Sequence, residues 1–334
     1  MALKELDNSN INKHLGQSSQ YKSQYDPSLL VREERQSNRT HLNLTDDNLP
    51  FTGNDVWNAY EVSGLTDKGL PVTGVAKIVY PCTGKYIVES KSLKLYFNSF
   101  NSTPLGESPD DVRDNIASMA EMDLSDYLNT DVRVSVFSNE QVLHELATPS
   151  QWHDVTFDLD SDKTTDMPAY SHNTRSFSQN CRESNYISLE DSYPVEEINF
   201  DTYTETPELL TVIEDAPIEC VHYHSALLKS NCRVTSQPDW GDVYIDIKSR
   251  NTVDPISLLK YIVSFRDECH FHEEICETIF VRLNDLLQPE KLAVRCLYAR
   301  RGGIDINPER ISQPGLAHYD LNNINIPHVK TPKQ

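Results

Sequence analysis

Apolar positions recur with a regular period in two regions of the chain and lose it elsewhere. Residues 1–45 are polar, rich in Asn, Ser and Gln, and predict an extended arm with few elements of its own. From "DNLPFTGNDVWNAYEVSGL" onward the patterning improves. "VTGVAKIVY" (72–80) and "KYIV" (85–88) read as strands, "ESKSLKLYFNSF" as a helix, and "SPDDVRDNIASMAEMDLSDYL" (108–128) as a second helix capped by Ser108. "DVRVSVFS" then alternates as a strand. In the second region "IECVHYHS" and "DVYIDIKS" read as strands, and "DPISLLKYIVSFRDE" as an amphipathic helix with Asp254 as N-cap and Pro255 in its first turn. "HEEICETIFVRLNDLL" is a helix stopped at Gln288-Pro289, and "KLAVRCLYARR" a closing strand. Each region therefore runs strands, two helices, strand, which predicts two related modules: 46–150 and 216–334.

Charge separates what lies between them. The chain of 334 residues has a formal net charge of −21, and residues 151–215 hold 15 Asp/Glu against 3 Lys/Arg. This acidic stretch lacks periodicity and reads as a solvated insertion or linker, with a partner-binding segment as the alternative. So negative a chain argues against direct binding to nucleic acid or to an anionic membrane, and an anionic ligand would need a local cationic site. Seven scattered cysteines without a CxxC, and no apolar leader in the first twenty residues, predict reduced thiols in a soluble, cytoplasmic protein.

The candidate chemistry lies in four motifs. In "NCRVTSQPDW", Cys232 precedes Asp239 by a turn-forming stretch, which suits either a nucleophile with an acid or a buried thiol beside a turn carboxylate. "CHFHEEIC" (269–276) invites a zinc reading, but on a helix His270 and His272 diverge by about 200°, and no further Cys/His group stands at a standard spacing. His272 and Glu273 at a helix start read better as polar groups aimed into a pocket, against a solvated first turn. "ESKSLKLY" puts Glu89, Ser90 and Lys91 at a helix start, where free backbone N–H groups make an anion site or an ordinary cap. In "RRGGIDINP", Arg301 can grip phosphate and Gly302 lets a ligand approach, unless the stretch is a simple turn. No GxGxxG occurs among the 11 glycines, so a Rossmann site is unsupported.

Together, "ESKSLKLYFNSFN", "LLKSNCRVTSQPDWGDVYI", "YIVSFRDECHFHEEICETIF" and "RRGGIDINP" resemble the QueF family of NADPH-dependent 7-cyano-7-deazaguanine reductases, in its long, two-module form. The resemblance covers most of residues 15–145 and 216–310, and the acidic stretch is its main departure. It implies an α+β fold of two tandem tunnelling-fold modules, with antiparallel sheets and helices on one face. It implies reduction of a nitrile to a primary amine in queuosine precursor synthesis, for tRNA modification. Cys232 then matches the nucleophile that forms a covalent thioimide, and Asp239 the proton donor. Val88, Glu89, Ser90, His272 and Glu273 match the substrate contacts. Ser90, Lys91, Arg301 and Gly302 match the NADPH contacts, and no metal is implied. A homodimer is expected because such folds close by association. Two rivals remain: a zinc-dependent tunnelling-fold pterin or purine enzyme, which stoichiometric zinc would favour, and a non-catalytic deazapurine binder, which a turnover assay would separate.

Overall fold

The computed structural model describes Lys22, residues 24–146, 186–213 and 219–316, and Gln334. The strands are β1 (Arg32–Glu34), β2 (Asn54–Leu65), β3 (Pro71–Pro81), β4 (Tyr86–Val88), β5 (Arg133–Phe137), β6 (Ile187–Ser188), β7 (Val212–Ile213), β8 (Glu219–Cys232), β9 (Pro238–Ser249), β10 (Thr252–Val253), β11 (Cys269–His270), β12 (Lys291–Tyr298) and β13 (Ile304–Ile311). The helices are α1 (Arg35–Arg39), α2 (Ser90–Ser99), α3 (Pro109–Leu128), α4 (Asn139–Leu146), α5 (Pro255–Ser264) and α6 (His272–Leu287). None of them is long and apolar enough to cross a membrane.

One sheet runs through both regions in the order β11-β8-β9-β12-β13-β2-β3-β5, with β6 added beside β8. Its long pairings are antiparallel, and the two regions join where β13 pairs with β2. This is the α+β, antiparallel architecture that the resemblance implies. Each region opens with a long hairpin, β2–β3 and β8–β9, and each hairpin shifts register at one place, between Ala59 and Val62 and between Ser225 and Leu228.

Strand alternation builds the core. Ala76, Ile78 and Tyr80 on β3 join Leu93, Phe97, Val112, Ile116 and Leu124 of α2 and α3 in one cluster. Val243, Ile245 and Ile247 on β9 join Leu258, Ile262, Ile275 and Ile279 of α5 and α6 in another. Both predicted caps form: the Ser108 hydroxyl accepts from Asp111 N, and the Asp254 carboxylate from Ser257 N. The other sheet face is polar and yet buried, through Asn58, Lys77, Asp242, Asp246, Arg295, Asp305, Asn307 and Glu309.

Four expectations need correction. Strand β8 continues past Ser225 to Cys232, because the register shift moves the buried phase onto Leu228 and Ser230. The strand in "KLAVRCLYARR" does not close the second region, since "IDINPERI" follows it as β13 and changes partner from β2 to β12 after Pro308. The arm is not merely extended: Arg35 and Arg39 of α1 are buried, and their guanidinium groups meet Asp55 and Glu277. Within the acidic stretch, residues 186–213 are packed rather than free. Leu189 and Leu210 enter the second core, and the Glu205 carboxylate accepts from Arg282 Nε at 3.0 Å and Tyr261 Oη at 2.7 Å. Residues 151–185 lie outside the described part.

Candidate active site

The end of the β8–β9 hairpin sets the first pair of residues. Beyond the last paired residues, Asn231 and Pro238, the chain makes a tight turn in which Ser236 adopts a left-handed φ of 53°. Cys232 N donates to Gln237 O at 2.8 Å and Ser236 N to Cys232 O at 2.9 Å, so backbone bonds hold the half-buried thiol. Burial on its own raises the Cys232 thiol. The Thr235 hydroxyl and N–H, the Arg301 guanidinium and the Val234 N–H outweigh that and leave it below the usual thiol range. Asp239, at the start of β9, is 6% exposed. Arg301 Nη1 donates to its Oδ1 at 2.7 Å, and His272 Nε2 lies 3.5 Å from its Oδ2.

The start of α6 supplies the next pair. His272 packs its ring 3.9 Å from that of Tyr298. Glu273 is 3% exposed, and its Oε1 has no hydrogen-bond partner among the described residues. Burial, with the Asp55 carboxylate nearby, pushes its carboxyl up to about 8, against the weaker pull of Arg35 and Arg310. An unpartnered buried acceptor is costly unless a ligand completes it.

The first region contributes from β4 and α2. Buried Val88 ends β4, and Glu89 caps α2 by accepting from Lys91 N at 3.0 Å and Ser92 N at 2.6 Å. The anion site expected at this helix start is therefore not free, because Glu89 already takes two of its N–H groups and places a negative charge there. Lys94 pairs with Glu61 at 2.9 Å, and its Nζ stands 3.8 Å from where a Cβ on Gly302 would be. Gly302 and Gly303 turn with φ values of 62° and 81° between Arg301 and Ile304.

These groups line one half-open pocket of about 210 Å³. Val88, Glu89, Ser90 and Lys91 come to it from one region, and Cys232, Asp239, His272, Glu273, Arg301 and Gly302 from the other. Its size falls below the roughly 300–1,000 Å³ of drug-sized sites, so it suits a small ligand. The motifs did not single out Trp57, Phe271, Ile304 and Ile306, which also line it. "HFHEE" carried a signal for Phe271, since the aromatic sits between the two histidines. Trp57 and the two isoleucines read as ordinary strand residues.

A second group behind the pocket escaped the sequence altogether. Arg310 Nη1 donates to Asp55 Oδ1 at 2.8 Å and its Nη2 to Glu277 Oε1 at 2.9 Å. Arg39 Nη2 donates to the same Glu277 oxygen at 2.8 Å. All four residues are at most 3% exposed, and they tie the arm, β2, β13 and α6 together.

Residues 21–136 match the family described as nitrile reductase, 7-cyano-7-deazaguanine-reductase N-term, and residues 238–314 that described as QueF-like protein. Among curated relatives, the NADPH-dependent 7-cyano-7-deazaguanine reductase of Colwellia psychrerythraea is 37% identical over 89% of this chain and 91% of its own. Its counterpart in Dechloromonas aromatica is 38% identical over 89% of each chain, and that in Legionella pneumophila 36% over 93% of each. At that identity along most of both chains, this chain belongs to the family of the NADPH-dependent 7-cyano-7-deazaguanine reductases.

Proposed function

We propose that this chain reduces the nitrile of 7-cyano-7-deazaguanine to the aminomethyl group with NADPH, through a thioimide on Cys232. One observation carries the reading: in a member of this family, a lowered-pKa thiol and a buried carboxylate share a small pocket with Glu273, whose Oε1 has no hydrogen-bond partner among the described residues.

Glu273 Oε1 accepts an N–H from the edge of the base, and Val88 and Phe271 supply apolar contact. Cys232 Sγ adds to the nitrile carbon, which relieves its resistance to hydride. The thiol proton passes through Asp239 to the nitrile nitrogen, so addition yields a neutral thioimide with atoms and charge in balance. Arg301, which acts on both Cys232 and Asp239, holds the two in register. The pocket mouth fits a dinucleotide phosphate: Lys91, Lys94, Arg301 and the left-handed turn at Gly302 gather there in a chain of net charge −21. Ser90 lies on the same rim. NADPH, when bound, supplies the hydride for each of the two-electron steps. The working form is a homodimer in the cytoplasm, and β5 ends the sheet among the described residues.

Loss of NADPH absorbance on mixing protein, NADPH and 7-cyano-7-deazaguanine tests the activity. Intact-mass measurement without NADPH should show the thioimide adduct. Cys232→Ala should lose both signals, and Asp239→Asn should allow some adduct yet block its reduction. Normal turnover by Cys232→Ala overturns the mechanism.

A further inference from the structure

The residue after the nucleophile makes contacts that the chemistry above does not use. Arg233 Nη1 lies 2.8 Å from Glu274 Oε1, an ion pair too poorly angled for a hydrogen bond, and also donates to Asn38 Oδ1 of α1. Its guanidinium stands 5.4 Å over the Phe271 ring. Its charge also acts on Glu33 of β1. The turn that follows Cys232 is thus fastened by this side chain to the arm and to the start of α6.

Glu274 is the other half of the fastening. It is 3% exposed, and its Oε2 accepts from His270 Nδ1 at 2.8 Å and from Phe271 N at 3.3 Å. His270 is the backbone partner of Cys232 in the β11–β8 pairing, and its Nε2 reaches Glu268 at 3.2 Å. Burial alone would lower the His270 imidazole, but Glu268 and Glu274 outweigh it and raise the group to about 9. Two cations, Arg233 and His270, therefore converge on one buried carboxylate, from the residue that follows Cys232 and from its partner on β11. A buried carboxylate persists only with such partners. Neither Arg233 nor Glu274 lines the pocket, whereas His270, Phe271, His272 and Glu273 do.

We propose that Arg233 and Glu274 are positioning residues, a latch that holds the Cys232 turn against the α6 start so that thiol and base-binding groups stay aligned. The proposal rests on the thioimide reading of Cys232. Its consequence is kinetic, because a displacement of about 1 Å at a nucleophile can cost about a hundredfold in rate while binding changes little.

The test is the rate of thioimide formation by rapid mixing without NADPH, together with steady-state constants, for Arg233→Met, Arg233→Lys and Glu274→Gln. Arg233→Met should slow adduct formation and kcat by roughly 10–100-fold with the nitrile KM within a few-fold. Glu274→Gln should act in the same direction. Arg233→Lys should recover part of the rate, since it keeps the charge and loses the guanidinium fork. Wild-type adduct rates in Arg233→Met overturn the latch. Should that variant not fold, Arg233→Lys decides: a slower adduct supports the latch and an unchanged one overturns it. If the unaltered protein forms no adduct at all, the thioimide reading fails instead.

Discussion

Replacing Glu273 by Gln should make the ligand-free protein more stable, and increasingly so as pH rises. Burial holds this carboxyl near 8 in the folded protein, against 4.5 for an ordinary glutamate. Between those values the folded chain keeps a proton that the unfolded chain has lost. Stability therefore falls with rising pH across that window, by about 1.36 kcal/mol per unit. The full window amounts to about 5 kcal/mol as an upper limit, and water in the pocket relaxes part of it. From about pH 6 to about pH 8 the difference between variant and wild type should grow by about 2–3 kcal/mol. For a chain of 334 residues that is a widening of roughly 3–4 °C in the Tm gap. Scanning calorimetry of both ligand-free proteins at the two pH values measures it, and the shared titrations of other groups cancel in the difference. A gap that stays constant or narrows as pH rises refutes the reasoning. Above about pH 8, where the wild-type carboxyl is ionised, the same variant should bind the nitrile base more weakly, by about 1.5–3 kcal/mol for a hydrogen bond to a charged acceptor. Stability would then rise at the expense of binding, as expected of a carboxyl kept buried for a ligand.

Two further outcomes follow from the geometry. Arg310→Met leaves Asp55 and Glu277 short of their shared cation, and should cost about 3–5 kcal/mol in urea unfolding; a loss below about 1 kcal/mol would show that the network contributes little. Lys91→Ala should raise the apparent KM for NADPH at low salt and less at high salt, where the charge it removes is already screened, with kcat nearly kept. Arg301→Ala should also lower kcat, since Arg301 Nη1 holds Asp239 at 2.7 Å; equal effects of the two substitutions on kcat would count against that role.

Helices were legible because local chemistry defines them. Ser108 before Pro109 and Asp254 before Pro255 announce their caps, and both form. Strands were legible only while alternation lasted. The register shift after Ser225 hid the half of β8 that leads to Cys232, so the sequence placed the thiol before a turn without showing that a hairpin holds it. Strand β13 was hidden for another reason. Asp305, Asn307 and Glu309 alternate with Ile304 and Ile306 as a half-exposed strand would, yet all five are buried, and Pro308 argues against a central strand. Charge misled in the acidic stretch too, since its net sign says nothing of the two leucines that anchor residues 186–213 in the core.

The motifs named residues that line one pocket without the reason that they meet. That reason is β13. Residues Ile304 to Pro308 pair with β2, and Glu309 to Ile311 with β12, so one strand sews the two regions into a single sheet. The turn before it carries Arg301 and Gly302, and the sheet it completes brings Glu89 to Lys91 within the same pocket as Cys232 and Glu273. Arg310, on that strand, closes the buried ion network with Asp55 of β2 and Glu277 of α6. A buried network of this kind tolerates little sliding, because any shift strands a charge in a medium that cannot solvate it. The same strand therefore joins the regions and fixes their relative register. A half of the chain folded alone would hold either the thiol and its acid or the Lys91 rim, and no single half could present both to one nitrile.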